Sequence, residues 1–312
     1  MTVREVEHGI TVQAPAAEVY RLLAEVENWP RLFPPSVYVE YLEQEGDRER
    51  IRIWATANGE AKNWTSRRDL DPRGLRITFS QEVSAPPVAE MSGTWIVEPL
   101  GERESRLRLL HTYRAVDDDP QSLEWIDQAV DRNSSQELPG VKNGLEQATR
   151  NEELTLSFVD SVEVQGSAKD LYDFVNEADR WKERLPHVSE VTLTEDTPGL
   201  QTLRMDTKAV DGSTHTTESV RVCFPHHRIV YKQTTLPALM SLHTGRWDFH
   251  TGDDGTVTAS SQHTVVIAAE NITAVLGADA GVPEARKFLR DALGANSRAT
   301  LGHAKRFAEE RR

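Results

Sequence analysis

The sequence predicts an α+β protein made of two tandem copies of one domain. Each copy is expected to be a curved antiparallel sheet with a long C-terminal helix packed on its concave face and a cavity between them. Three observations predict this. A repeat at a nearly constant offset of 152 residues covers almost the whole 312-residue chain. Within each copy, short segments of period-two alternation follow one another through tight turns. Each copy then closes with a long amphipathic helix pattern.

Taken in order, the first copy opens with VQAPAAEVYRLLAEVENWPRLFP (12–34) and the second with VQGSAKDLYDFVNEADRWKERLP (164–186). Val19, Leu22, Leu23 and Val26 stand at helical spacing, and so do Leu171, Phe174, Val175 and Ala178. Pro15 at a first helical turn, and Ser167 with Asp170 three residues on, supply the start signals. Strands are expected in the first copy at 49–57, 61–71, 74–82, 90–98 and 105–115. A helix follows from about 121 to 149, started by the acidic turn DDDP and interrupted at Pro139. The pairs Ser66 and Ser219, Arg68 and Arg221, Gly93 and Gly245, Trp95 and Trp247, and His111 and His263 keep the register. NSSQELPGVK (133–142) aligns with NSRATLGHAK (296–305), so the second copy holds about eleven extra residues before its last helix, around AENITAVLGADAG. The boundary is expected near residue 150, giving domains 1–150 and 151–312.

Composition narrows the class. A formal charge of −14 argues against a general nucleic-acid binder, which needs clustered Lys and Arg. No apolar run reaches the ~18 residues of a membrane span, and the N-terminus MTVREVEHGITV has no signal pattern. The single cysteine, Cys223, forms no internal disulfide and fits a cytoplasmic location, so the N-x-S/T matches at Asn63, Asn133 and Asn271 carry no weight. No Gly-rich phosphate loop, Gly-x-Ser-x-Gly elbow or zinc spacing is present, and the adjacent His226 and His227 are not read as a metal site.

The stretch WTSRRDLDP (64–72) carries the chemistry. Its period places Trp64, Ser66, Arg68 and Leu70 inward and the polar Thr65, Arg67, Asp69 and Asp71 outward. Met91, Gly93, Trp95 and Val97 form a second inward row, and Leu107, Leu109, His111 and Tyr113 a third. The loop NWPRLFPPSVY brings Trp29, Phe33 and Tyr38 to one end. An apolar, aromatic interior with Ser66, Arg68, His111 and Tyr113 as converging polar groups has the make-up of a small-molecule site. A buried arginine needs a partner. The inward rows read here hold no Asp or Glu, which leaves water, a helix carboxylate such as Glu137 or Glu146, or ligand oxygens; a structural salt bridge is the alternative. His111 is either a core histidine or an acid–base group, and the tryptophans are either packing or stacking surfaces. In the second copy Val220, Val222 and Phe224 lie opposite Ser219 and Arg221, so either Arg221 faces outward there or both faces of that strand are covered. Because His263 shares a face with Val257, Ala259, Val265 and Ile267, the second is expected, with the outer face covered by the other domain or an added segment.

This order of elements, with NWPRLFPPS after the first helix and W-T-S-R-R-D-L-D-P on an inner strand, resembles the polyketide aromatase/cyclases of bacterial type II polyketide synthases. Two fused copies resemble their di-domain class. The resemblance implies a helix-grip fold (START/Bet v 1-like) used twice. It also implies a poly-β-ketone substrate, delivered on the phosphopantetheine arm of an acyl carrier protein and shared with other synthase subunits. The implied reaction is aldol closure of the first ring between carbons 7 and 12, or its dehydrative aromatisation, without metal or redox cofactor. Arg68, Ser66 and His111, with Arg221, Ser219 and His263, would be catalytic; Trp29, Phe33, Tyr38, Trp64, Met91, Trp95, Tyr113 and Trp247 would bind substrate. Arg68 is expected to be needed for ring formation and not for folding. Because Thr217 replaces Trp64, the first cavity is expected to dominate. Arg67, Arg73 and Arg76 are candidates for carrier docking. A hydrophobic-ligand carrier without catalysis is the alternative.

Overall fold

The computed structural model describes residues 2–208 and 214–311. The chain divides into two compact units, Met1–Arg150 and Asn151–Arg312.

In the first unit, β1 (Arg4–Val12) leads into α1 (Ala16–Ala24) and the short α2 (Trp29–Leu32). Six strands follow through short turns: β2 (Ser36–Glu45), β3 (Arg48–Ala57), β4 (Glu60–Asp71), β5 (Arg76–Val83), β6 (Val88–Gly101) and β7 (Glu104–Ala115). They form one antiparallel sheet in the order β1-β7-β6-β5-β4-β3-β2, in which the first strand pairs with the last. The long helix α3 (Pro120–Glu146) lies on β1 and β7, and the short α4 (Ala148–Leu154) follows it.

The second unit repeats this plan with β8 (Thr155–Val164), α5 (Ala168–Asn176), α6 (Trp181–Arg184), β9 (Val188–Thr197), β10 (Leu200–Lys208), β11 (Thr214–Phe224), β12 (Arg228–Thr235), β13 (Met240–Thr251) and β14 (Val257–Ile267). Its sheet order is β8-β14-β13-β12-β11-β10-β9. The extra residues form α7 (Ile272–Leu276) ahead of the long α8 (Val282–Glu309). Ile272 is buried beside Leu239, Met240 and Leu289, so the insertion extends the core at one end of this domain.

Local chemistry accounts for the boundaries. Val19 and Leu23 of α1 are buried, and Val26 is buried in a 3-10 turn just beyond it. Pro15 sits one position outside that helix as its N-cap, and Ser167 caps α5 by accepting from the Asp170 amide. Asp119, the last acid of DDDP, caps α3 by accepting from the Ser122 amide at 2.8 Å. The expected interruption at Pro139 does not occur, because α3 runs through it. Proline forfeits one backbone donor there, while its neighbours Leu138 and Val141 are anchored in the core at 4% and 0% exposure. β2 is a strand that the pattern reading did not include. Both faces of β11 are covered: Arg221 and Cys223 are buried, and so are Val220 and Val222, with Phe224 half-buried.

Candidate active sites in the two cavities

Each domain holds a half-open cavity of about 140 Å³ between sheet and long helix. Their polar contents differ.

In the first domain the buried arginine is not a cavity group. Arg68 is 2% exposed, and the cavity is walled by other residues. Its Nη1 donates to Glu49 Oε2 at 2.9 Å and to the Ala24 carbonyl at 3.2 Å, and Nη2 donates to the Leu23 carbonyl at 3.0 Å. The guanidinium also lies 5.2 Å from the centroid of the Trp29 ring. Burial lowers its pKa, and the Glu49 charge opposes that shift. Its partner is therefore an inward carboxylate on β3, directly across the β3–β4 ladder, and not Glu137, Glu146 or a ligand. Ser66 is likewise kept from the cavity, donating to the Ser80 carbonyl at 3.0 Å. Tyr113 is buried beside Leu123, Ile126 and Val130 of α3 and donates to Asp127 Oδ1 at 2.7 Å, away from the cavity wall. The expected convergence of Ser66, Arg68, His111 and Tyr113 is thus corrected: of the four, only His111 lines the cavity.

The aromatic residues divide in the same way. Trp29, Trp64 and Met91 line the cavity. Phe33 and Trp95 stack on each other in the core, with ring centroids 6.1 Å apart and planes 3° apart. Tyr38 turns to the other face and packs on Trp54. A β-bulge between Ser36 and Tyr38 shifts the parity of β2, so Ser36 faces the cavity and Tyr38 does not.

His111 and Glu137, a residue of α3, both line this cavity. Burial pushes the Glu137 carboxyl up to about 8, so it is protonated at neutral pH. Burial holds His111 down to about 4, so its imidazole is neutral. Among the described residues His111 Nδ1, Ser134 Oγ and Gln81 Oε1 have no hydrogen-bond partner. All three side chains line the cavity.

In the second domain Arg221, Ser219, His263 and Trp247 all line the cavity. The ladder partner of Arg221 is Gln201, where the first domain has Glu49 opposite Arg68. Gln201 Nε2 is spent on Glu195 at 2.7 Å. Arg221 Nη2 donates to the Val175 carbonyl at 2.7 Å, while Nη1 has no partner among the described residues. Burial lowers its pKa too. The inward residue four positions before the arginine differs as well: Thr217 is far smaller than Trp64, and Thr217, Ser219 and Arg221 all line this cavity.

A polar cluster that the sequence reading missed stands beside Arg221. His243 Nε2 lies 2.9 Å from His263 Nδ1, and the Tyr231 hydroxyl lies 3.1 Å from that Nδ1. His263 Nε2 is 2.6 Å from Ser297 Oγ on α8. Burial lowers the pKa of His263 to about 4 and that of His243 far below its ordinary value. Gly245 makes room for the cluster, since a Cβ there would lie 2.4 Å from the Tyr231 oxygen. Gly93 does the same for Phe79 in the first domain. His243 shares the inward parity of Gly245 and Trp247, so period two could have found it; Tyr231 stands opposite Gly245 on the neighbouring strand.

Of the docking candidates, Arg67 is engaged by Glu82 at 2.6 Å, whereas Arg73 and Arg76 are exposed. Among the described residues no helix is long and apolar enough to cross a membrane.

Two helix-grip domains, each with imidazole, hydroxyl or carboxyl groups facing a ring-sized apolar cavity, define an acid–base enzyme of small molecules. Comparison with known proteins names the class. Residues 3–146 and 164–290 each match a family model described as polyketide cyclase/dehydrase and lipid transport. The chain is 52% identical to the granaticin polyketide synthase bifunctional cyclase/dehydratase of Streptomyces virginiae, over 96% of this chain and 98% of that one. It is 46% identical to the actinorhodin polyketide synthase bifunctional cyclase/dehydratase of Streptomyces coelicolor, over 96% and 95%. Among solved structures, the di-domain aromatase/cyclase BexL of the BE-7585A biosynthetic pathway is 67% identical, with a TM-score of 0.87 over 98% of this chain and 99% of that one. StfQ of the steffimycin pathway, also a di-domain aromatase/cyclase, is 35% identical with a TM-score of 0.85 over 98% and 99%. The chain belongs to the polyketide cyclase/dehydrase family, and it is a cyclase/dehydratase enzyme of the type II polyketide synthase kind.

Proposed function

We propose that this enzyme acts on a poly-β-ketone held on the phosphopantetheine arm of an acyl carrier protein, closing the first ring between carbons 7 and 12 and dehydrating it to an aromatic ring. The observation that carries the reading is the size and polarity of the cavities. A cavity of about 140 Å³ is close to the ~150 Å³ apolar cavity known to hold one benzene ring. Each cavity thus matches one six-membered ring, and the rest of a long chain must stay outside it.

The first cavity suits the dehydration. Its neutral His111 takes the proton α to a carbonyl, and the protonated Glu137 gives a proton to the β-hydroxyl as the C–O bond breaks and water leaves. Walls of Trp29, Trp64 and Met91 hold the ring and keep bulk water away. Arg68 acts here as part of the scaffold, which departs from the expectation that it is catalytic and not needed for folding.

The test is reconstitution of the full chain with a minimal polyketide synthase and identification of the released ring pattern. Products closed between carbons 7 and 12 and aromatic in that ring support the reading. A different first-ring closure, or the same products with and without the enzyme, overturns it.

A further inference from the structure

We propose that the second cavity is a separate reaction centre for ring closure, in which the imidazole pair His243–His263 takes the α-proton, Arg221 Nη1 holds the enolate oxygen, and the Tyr231 hydroxyl protonates the new alkoxide. The inference rests on the reading that the substrate is a poly-β-ketone, and its ligand class is an enolisable 1,3-dicarbonyl segment.

All four side chains line one cavity. Arg221 is 2% exposed, and its Nη1 has no partner among the described residues. A buried guanidinium N–H without an acceptor is costly unless a ligand supplies one, and in a dry site it is a strong donor to developing negative charge.

Counting hydrogens at the cluster frees the tyrosine proton. His243 Nε2 and His263 Nδ1 lie 2.9 Å apart with both rings neutral, so one donates its hydrogen to the single lone pair of the other. That lone pair is then occupied. The Tyr231 hydroxyl, 3.1 Å and 3.4 Å from these two nitrogens, finds no vacant acceptor there and can direct its hydrogen into the cavity. Ser297 Oγ at 2.6 Å from His263 Nε2 holds the ring in place from α8.

The step balances within these groups. With the hydrogen of His243 on Nε2 and donated to His263 Nδ1, the α-carbon loses its proton to His243 Nδ1, the one nitrogen of the pair without a partner among the described residues. Its C–H electrons form the enolate double bond, and the carbonyl π electrons settle on the oxygen facing Arg221. The enolate carbon attacks a second ketone and forms the ring bond. The resulting alkoxide takes the Tyr231 proton, and the tyrosinate recovers one from the imidazolium. No oxidant or reductant enters.

The first domain keeps His111 in the place of His263 and lacks the other parts. Phe79 stands opposite Gly93 where Tyr231 stands opposite Gly245. Met91 takes the register position of His243, and Arg68 is neutralised by Glu49. The two cavities have therefore diverged to different chemistries, and the larger aromatic complement of the first does not make it the site of ring closure.

The experiment uses the full chain with the minimal synthase and compares Tyr231→Phe with His111→Ala, measuring both the amount of ring-closed product and its state of dehydration. Tyr231→Phe is expected to lower ring closure at least ~100-fold, the scale of a lost general acid. Its melting temperature should stay within a few degrees, because the first domain already carries phenylalanine in that place. His111→Ala is expected to close the ring and release it undehydrated. Full ring closure by a folded Tyr231→Phe protein overturns the proposal and leaves the general function standing. Absence of any effect of the wild-type enzyme on the products overturns the general function instead. If Tyr231→Phe does not fold, His243→Met, which installs the first domain's residue, makes the same comparison.

Discussion

Replacing the two buried arginines by alanine should have opposite consequences for stability and for chemistry. Arg68→Ala removes hydrogen bonds to Glu49, Ala24 and Leu23 at 2.9, 3.2 and 3.0 Å. It leaves the Glu49 carboxylate, whose side chain is 9% exposed, without its counter-ion. Breaking a buried pair from one side costs about 3–5 kcal/mol. At roughly 2–4 °C per kcal/mol for a domain of this size, the first domain should melt about 6–20 °C lower. Arg221→Ala removes one hydrogen bond, to Val175 at 2.7 Å, and the stacking of the guanidinium 5.4 Å from the Trp181 ring. No carboxylate is orphaned, and the desolvation of an unpaired charge is relieved, so the net cost should be about 1 kcal/mol or less. Calorimetric unfolding of both variants, with Glu49→Gln to complete a double-mutant cycle against Arg68, measures this. Equal losses in the two variants, or an Arg68→Ala loss under about 1 kcal/mol, would refute the assignment of Arg68 to the scaffold.

Three further outcomes follow from the same geometry. Glu137 has its folded pKa raised to about 8, above the ~4.3 of an unfolded chain. Its protonation therefore favours the folded state most at low pH, and this contribution is lost as pH rises through 8. Glu137→Gln should gain stability relative to wild type between pH 5 and 8.5, by up to ~1.4 kcal/mol per pH unit, and a flat difference in urea titrations would count against a protonated carboxyl. Gly245→Ala places a Cβ 2.4 Å from the Tyr231 oxygen and 2.6 Å from the Gln262 carbonyl; overpacking of this kind costs about 1–3 kcal/mol, measurable as a lower urea midpoint, and Tyr231→Phe should relieve part of it. Thr217→Trp, which copies Trp64, should close the cavity off from Arg221 and suppress ring closure, as read from product yield, while leaving dehydration of an already closed ring intact.

Much of the architecture is legible in residue order because it is written in local periodicity. Helical spacing at Val19, Leu22, Leu23 and Val26, period two through the strands, and the constant offset between Gly93 and Gly245 or His111 and His263 each depend on the chain alone. Parity places Arg68 inward and the repeat register carries Arg221 with it, and both are buried. The same parity, carried along RERIRIWATA, puts Glu49 on the face of Ile51 and Ile53, so the partner of Arg68 was within reach of the pattern. Tyr38 was not, because one bulged residue in β2 reverses the side chains from Tyr38 to Tyr41 and leaves no mark in composition. Periodicity assigns a side chain to a face; it does not say which groups on that face touch. Whether an inward arginine meets a carboxylate, as Arg68 does, or an empty space, as Arg221 Nη1 does, is set by the residue across the ladder and the bulk of the inward residue four positions earlier. The protonated state of Glu137 and the meeting of Tyr231, His243 and His263 likewise arise only when helix and sheet close over the cavity and exclude water, since desolvation and hydrogen-bond distance are properties of the packed fold.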